Sequence, residues 1–201
     1  MATIYTIGHS TRTLEELVAA LKGHGITTLV DIRAFPMSRR LPHFNRESLE
    51  LELPKAGIAY LWMKELGGRR KKMRDDSPNT ALRNDSFRNY ADYMMTDEFA
   101  GGVERLLDVA SRRNDPTLSP TEGDKGGAPR TRPENLGGTA IMCAERMWFQ
   151  CHRMLVSDYL AAHGHSVLHI DDEKRAVSPH KLMAEARLAD GKLVYDAQQL
   201  F

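Results

Sequence analysis

Cysteine is scarce in this chain, with Cys143 and Cys151 as the only two among its 201 residues. This scarcity excludes both the disulfide framework of a small secreted domain and a four-cysteine metal site within one chain. A structural disulfide is not expected where thiols are kept reduced. The sequence leaves three interpretations open for the two cysteines: packing residues, metal ligands or reactive thiols.

Long apolar runs are also absent. No stretch of 18 or more apolar residues occurs, and MATIYTIGHS at the start lacks the basic and apolar regions of a signal peptide. We therefore predict a cytoplasmic protein without a membrane partner.

Neither sign of charge dominates, because 28 lysines and arginines face 27 aspartates and glutamates, for a net charge of +1. This balance excludes a histone-like protein that binds polyanions with its whole surface, so any basic surface must be local. No G-x-G-x-x-G or P-loop motif follows a predicted strand, which disfavours a dinucleotide fold with its usual fingerprint.

The hydrophobic pattern alternates between strands and helices. Continuous apolar runs predict strands buried on both faces, and apolar spacings of three and four predict helices. We predict strands at 2–8, 26–32, 58–63, 139–143, 166–170 and 193–195, and helices at 13–23, 46–56, 86–95, 97–113, 149–163 and 179–187. Because this alternation requires crossover connections, the predicted fold is a single α/β domain over 1–201, with a mostly parallel sheet flanked by helices on both faces.

One segment departs from this pattern. Residues 114–138 contain four prolines and five glycines, with Leu118 and Leu136 as their only large apolar residues. This composition predicts a long, flexible surface insertion within the domain.

Polar residues follow three of the predicted strands. They are His9 and Ser10 after the first, Asp31 and Arg33 at the end of the second, and Cys143 and Glu145 after the strand at 139–143. Ligands of open parallel sheets bind outside the carboxyl ends of the strands, so we expect a shared cleft in which Asp31 orients Arg33 and the guanidinium receives an anion. Alternatively, each is an ordinary residue at the start of a loop.

The densest group of reactive residues combines Cys143 and Glu145 with Cys151, His152 and Arg153. The last three fall near the first turn of a predicted helix, where free N–H groups and the helix dipole favour an anion or a thiolate. We predict a nucleophile or ligand at Cys143 or Cys151 and an acid or base at Glu145 or His152. An inert, buried cysteine pair is the alternative.

Two known site types fit this group poorly. A phosphatase loop of the Cys-x5-Arg kind that begins at Cys143 would need arginine where Phe149 stands. A metal site would use Cys143, Cys151 and His152 with His9 or His169, but the spacing matches no standard zinc finger. No metal ligand is therefore assigned, and zinc or iron stays open as a cofactor.

Two basic patches offer anion binding. The first contains Arg33, Ser38, Arg39 and Arg40 near Phe44, and the second is the tract at 69–74. Arginines beside aromatic rings suit the recognition of phosphates and bases. Because the first patch follows a strand end, we expect it to be functional, whereas a solvated loop is expected for 69–74 alone.

Several sequence motifs together carry a family resemblance. They are TIGHS at 6–10, LVDIRAFPMSRR at 29–40, Phe44, GIAYLWMKELGG at 57–68, FRNYADYM at 87–94, MCAE at 142–145 and CHR at 151–153. With these motifs the chain resembles the domain-of-unknown-function family 488, over nearly its whole length up to Ile170. The resemblance implies a parallel α/β domain but no activity. It implies these site candidates: His9, Ser10, Asp31, Arg33, Ser38, Arg39, Cys143, Glu145, Cys151, His152 and Arg153.

The leading functional prediction is an enzyme that acts on a phosphate-bearing substrate, either a small nucleotide or a nucleic acid. Arg33, Arg39 and Arg153 are predicted to hold its anionic oxygens, with His9, Ser10 and Ser38 beside them. Asp31 joins the predicted catalytic residues Cys143, Glu145, Cys151 and His152. The alternatives are a regulatory module that binds nucleic acid or metal and, on a fold-level analogy to the Asp-x-Arg of rhodanese-like domains, sulfur or redox chemistry.

Overall fold

The computed structural model describes residues 1–112, 137–171 and 177–196. Within these ranges the α-helices are α1 (Leu14–Gly23), α2 (Arg46–Lys55), α3 (Asp85–Met94), α4 (Asp97–Arg112) and α5 (Arg153–Ala162). The strands are β1 (Thr3–Gly8), β2 (Ile26–Asp31), β3 (Ala59–Trp62), β4 (Gly138–Cys143), β5 (Ser166–Ile170), β6 (Ser178–Pro179), β7 (Ala186–Ala189) and β8 (Lys192–Tyr195). No helix of the described residues is long and apolar enough to cross a membrane.

Six strands form one sheet in the order β3-β2-β4-β1-β5-β6. The pairs from β3 to β5 are all parallel, and only the two-residue β6 runs antiparallel to its neighbour. The predicted α/β fold with a mostly parallel sheet is therefore confirmed.

Helices cover both faces of this sheet, also as predicted. Helices α3, α4 and α5 pack on one face, and α1 and α2 pack on the other. From the strands, the first core takes Ile4, Val30, Ile32 and Ile141, and the second takes Ile7, Leu29, Ala140 and Met142. Successive strand residues alternate between the two cores, which explains why the strands are apolar throughout.

The central strands end side by side at the carboxyl edge of the sheet. Beyond the strand ends, His9 N donates to Cys143 O at 3.0 Å, and Ser10 N donates to Ala144 O at 2.8 Å. On the other side of β4, Ile32 N donates to Met142 O at 3.0 Å. These backbone bonds hold the loops after β1, β2 and β4 together.

The helix predicted at 179–187 is wrong. Ser178 and Pro179 form β6, and β7 and β8 form an antiparallel hairpin. The hairpin turn is Asp190–Gly191, whose φ angles of 49° and 75° are those of a type I′ turn. The pattern of apolar residues suggested a helix, but the Asp-Gly turn and the pairing with β5 determine the structure.

The predicted insertion at 114–138 lies outside the described residues, apart from its last two. Gly137 and Gly138 are described, and Gly138 is the first residue of β4. The strand therefore begins one residue earlier than the pattern predicts.

A buried carboxylate on α5 anchors the C-terminal hairpin. Asp158 accepts hydrogen bonds from His180 Nε2 at 2.9 Å, Met183 N at 3.1 Å and the Tyr195 hydroxyl at 3.1 Å. Beyond His180, a further imidazole and a threonine hydroxyl extend the chain of hydrogen bonds, through His169 to Thr6 on β1. One side chain thus joins a helix, a strand end and the hairpin.

Replacing Asp158 by alanine is expected to lower the free energy of unfolding by about 3 kcal/mol, because three buried or partly buried donors lose their acceptor. Tyr195→Phe, which removes one of the three hydrogen bonds, is the matched control and should cost about 1 kcal/mol. Urea denaturation measures both. Equal losses in the two variants would show that Asp158 does not anchor the hairpin.

Candidate functional site

Two cysteines and a histidine meet at the carboxyl edge and are called here the thiol–imidazole cluster: Cys143, Cys151 and His152. Their Sγ and imidazole N atoms lie within 4.8 Å of one another, and Cys143 Sγ is 3.7 Å from His152 Nδ1. All three are buried. Sequence positions eight and nine residues apart are thus brought into direct contact.

The local structure before α5 explains why these three side chains lie in contact. Cys143 is the last residue of β4, and a short 3-10 turn over Trp148–Gln150 delays the start of α5 to Arg153. The helix predicted from residue 149 is thus shorter at its N-terminus, which leaves His152 as its N-cap. Cys151 Sγ accepts a hydrogen bond from the first helical N–H, that of Arg153, at 3.4 Å. The sulfur therefore lies at the positive end of the helix dipole.

The His152 ring is held in one orientation. Its Nε2 donates to Ile32 O at 3.0 Å, so Nδ1 carries the lone pair that faces Cys143. The Tyr90 ring packs edge-on against it at 5.1 Å between centroids. Gly68 lies against the imidazole as well, and a Cβ there would come within 2.5 Å of His152 Cγ. Only glycine leaves room for the ring at that position.

A buried arginine supports the cluster. Arg153 is 1% exposed, and its Nε donates to Cys151 Sγ at 3.2 Å. Its Nη2 donates to the backbone oxygens of Glu145 and Arg146. No carboxylate of the described residues forms a salt bridge with Arg153, and the group among them that can carry a compensating negative charge within hydrogen-bond distance is the Cys151 sulfur.

The two thiols titrate as a pair. The hydrogen bond from Cys151 lowers the pKa of Cys143 to about 7, assisted by Arg153 and by the backbone N–H groups of Glu145 and Ala144. The same hydrogen bond, together with burial, raises the pKa of Cys151 to about 12. Above about pH 7 the pair therefore shares one proton and one negative charge.

A second buried cluster contains His9, Asp31 and Arg33. Arg33 Nε donates to both Asp31 carboxylate oxygens, at 2.9 and 3.0 Å, while its Nη2 bonds Asp31 Oδ2 and the Phe44 carbonyl oxygen. The remaining Nη1 lies 3.2 Å from His9 Nε2. The Tyr60 hydroxyl also donates to Asp31 Oδ2, at 2.7 Å. Protein atoms thus occupy the guanidinium fork that the sequence predicted would receive an anion.

The two clusters share an edge of the sheet but lie on opposite faces. Cys143 follows Ile141 on the face covered by α5, whereas Asp31 follows Leu29 on the face covered by α1 and α2. Backbone atoms join them at two places. His9 N donates to Cys143 O at 3.0 Å, and the carbonyl oxygen of Ile32, the residue between Asp31 and Arg33, accepts from His152. The structure therefore forms two buried clusters where the sequence predicted one shared cleft.

Sequence comparison gives the chain a family. The family model described as "Domain of unknown function DUF488" matches residues 13–127, which is more than half of the chain. The chain belongs to the DUF488 family. The match includes Asp31, Arg33, Ser38 and Arg39, whereas the thiol–imidazole cluster lies beyond it, so the wider resemblance stays a prediction. Neither a curated protein nor a solved structure matches the chain.

Other predicted site residues of the DUF488 chain occupy the rim. Ser10 adopts a left-handed conformation with φ at 50°, and Ser38 stabilises its own turn by accepting from Leu41 N at 3.0 Å. Arg39 is exposed, as is the side chain of Glu145. Ser38 thus has a local structural partner, while Arg39 and Glu145 point to solvent.

The second basic patch, at 69–74, is partly neutralised by its surroundings. Lys72 pairs with Asp75 at 2.6 Å, and Arg74 pairs with Asp76 at 3.0 Å. The Arg70 guanidinium lies over the Tyr93 ring, 3.5 Å from its centroid. These contacts agree with the solvated loop expected for this tract.

Sequence reasoning missed three positions that shape the site. Tyr60 bonds Asp31, Gly68 makes room for His152, and Ile32 supplies the carbonyl that orients the ring. The Gly67–Gly68 pair was a visible signal, since glycines mark close approaches of other atoms to the backbone. A backbone oxygen such as that of Ile32 leaves no mark in the sequence.

Burial of His9 predicts an acid-sensitive fold. Desolvation and the nearby Arg33 charge lower the pKa of His9 to about 4, from 6.5 in the unfolded chain. Between these values the unfolded chain binds a proton that the folded chain does not, so stability should fall by up to about 3 kcal/mol as the pH falls through this window. Urea unfolding at a series of pH values measures the slope. His9→Gln should make it shallower, and an unchanged slope would contradict this account.

Proposed function

We propose that this DUF488 chain is an enzyme that acts on a phosphate-bearing substrate, a nucleotide or a nucleic acid, at the carboxyl edge of its sheet. The observation that carries the proposal is the thiol–imidazole cluster, in which three chemically reactive side chains converge in one buried place. In open α/β sheets this edge is where ligands bind. The predicted cytoplasmic location suits such a substrate.

The cluster combines the parts that thiol chemistry requires. His152 is oriented by Ile32 O and directs Nδ1 at Cys143, the arrangement of a reactive group, its base and an orienting group. The backbone N–H groups after Cys143 are directed at its sulfur. Consecutive N–H groups of this kind form a concave site that also suits an oxyanion. Glu145, exposed two residues later, is the nearest carboxylate in sequence that can exchange protons with solvent.

The rim offers contacts for both parts of a nucleotide. Arg39 and Arg40 are exposed on the loop after β2 and, among the described residues, form no ion pair. Phe35, on the same loop, is 67% exposed, and Phe149, on the loop after β4, is 45% exposed. Because β2 and β4 are neighbouring strands, the loops that carry these arginines and aromatic rings begin at adjacent strand ends. This combination binds phosphates and stacks on bases.

The buried arginines Arg33 and Arg153 have a role that differs from that of the exposed arginines. Both are buried, and their N–H groups donate to protein atoms. We assign them, with Asp31, to the support of the two clusters rather than to direct contact with substrate. Their charges still favour an anion at this edge.

Thiol redox or sulfur-transfer chemistry is the second candidate. It is favoured by one observation, the closeness of two cysteine sulfurs within 4.8 Å. Such a dithiol can exchange with a disulfide substrate through a thiolate. The first candidate is preferred because the arginines and aromatic rings of the rim suit a nucleotide.

Turnover of nucleotides and short oligonucleotides tests the proposal directly. Release of phosphate or a nucleotide fragment is measured for the wild-type chain and for Cys143→Ser, which should lose at least about 100-fold in rate because the thiol is replaced. Circular dichroism establishes that the variant is folded. Binding without turnover by the wild-type chain would indicate a regulatory module, and turnover of a disulfide alone would favour the redox candidate.

Binding of an oligonucleotide should depend on salt through Arg39 and Arg40. Each of Arg39→Ala and Arg40→Ala should reduce the slope of log Kd against log salt by about 0.9, because one phosphate contact is lost. Fluorescence anisotropy at several salt concentrations measures this slope. Arg83→Ala, an exposed arginine just before α3, is the matched control and should leave it unchanged. Equal effects of all three variants would place the binding surface elsewhere.

A further inference from the structure

We infer that Cys143, Cys151 and His152 form a binding site for a zinc-type divalent cation, with a fourth coordination position that no histidine, cysteine or carboxylate of the described residues fills. The sequence spacing assigned no metal ligand, because Cys143 is separated from the other two by a loop and a 3-10 turn. In the folded chain the three side chains are nevertheless neighbours. Cation binding stands on the geometry alone, and only the use of the fourth position rests on the proposed function.

Distances within the cluster fit tetrahedral coordination. With ordinary zinc bond lengths, two sulfurs lie about 3.8 Å apart, and a sulfur and an imidazole nitrogen about 3.6 Å apart. Cys143 Sγ and His152 Nδ1 are 3.7 Å apart, and no pair of the three donor atoms is separated by more than 4.8 Å.

The imidazole is also in the state that a metal requires, and the proton shared by the two thiols is released when the cation binds. The Nε2–H group of His152 donates a hydrogen bond to Ile32 O, so the lone pair of Nδ1 is directed towards the cysteines. A backbone carbonyl in this position is a common outer partner of a metal-bound histidine. Two thiolates and an imidazole prefer zinc to magnesium or calcium, which favour oxygen ligands.

Surrounding charge argues for an anionic fourth ligand. Two thiolates and a divalent cation sum to zero, and the buried Arg153, hydrogen-bonded to Cys151 Sγ, adds one positive charge. In the described part of the chain, no fourth histidine, cysteine or carboxylate joins the group. The open position therefore suits hydroxide or a phosphate oxygen, which zinc polarises as a Lewis acid. With the cation bound, Cys143 and His152 would act as ligands in place of the reactive group and its base, and the cation would polarise the phosphate of the substrate.

Metal binding is tested on the full chain without any substrate. Protein purified without chelator is analysed for metal content, then stripped, and Zn²⁺ is titrated in against a zinc-binding dye. Co²⁺ added in place of zinc should give the thiolate-to-cobalt charge-transfer band of a tetrahedral site. We expect one equivalent of Zn²⁺ per chain. Failure of the stripped, folded protein to bind Zn²⁺ would overturn the inference.

Variants assign the ligands. Cys143→Ser, Cys151→Ser and His152→Gln should each weaken Zn²⁺ binding by more than about 100-fold, beyond the loss typical of an outer partner. His163→Gln, on an exposed histidine beyond the C-terminus of α5, is the matched control. Full affinity in all three ligand variants would overturn the inference.

Protection of the thiols from alkylation tests zinc binding on the wild-type protein, so it does not depend on whether a variant folds. Because the chain contains only two cysteines, one equivalent of Zn²⁺ should protect both from alkylation in the wild-type protein. Equal alkylation with and without Zn²⁺ would overturn the site. Zinc binding without phosphate turnover would count against the proposed function alone, whereas turnover by zinc-free protein would count against the open metal position alone.

Discussion

The buried charge of Arg153 is the constraint on which the thiol edge depends. A guanidinium removed from water needs hydrogen-bond acceptors, and among the described residues these are a sulfur and two backbone oxygens. These contacts hold the loop after β4 over the end of β1. A Cβ on Gly8 would lie only 2.8 Å from Arg153 Nη2, so the strand must end in glycine for the loop to close. The position of Cys143 follows from this closure.

The sheet could be predicted from the sequence because parallel strands buried on both faces leave a continuous apolar signal. The edge could also be predicted, since His9, Arg33 and Cys143 each follow a strand. The division of the site residues into two clusters could not be predicted from the sequence. It depends on register: Asp31 pairs with Met142, so Cys143 is offset by one residue and points to the other face. A single sequence does not specify which residues of two parallel strands lie opposite each other.

Prediction failed where local and distant signals disagreed. Residues 179–187 have the composition of a helix, but His180 and Met183 are fixed by Asp158, which lies more than twenty residues earlier. Their contacts are tertiary and outweigh helix propensity. The Asp190–Gly191 turn, by contrast, was a local signal of the hairpin that follows them.

The Ile32 peptide has a mechanical consequence for the molecule. On one side its carbonyl oxygen holds the ring of His152, and its two neighbours in sequence are the ion pair that contacts His9 on the other side. Rotation of the His152 ring would therefore break a hydrogen bond to the residue that separates Asp31 from Arg33. The orientation of a ring on the α5 face and the position of an ion pair on the face covered by α1 and α2 thus depend on the same short stretch of backbone.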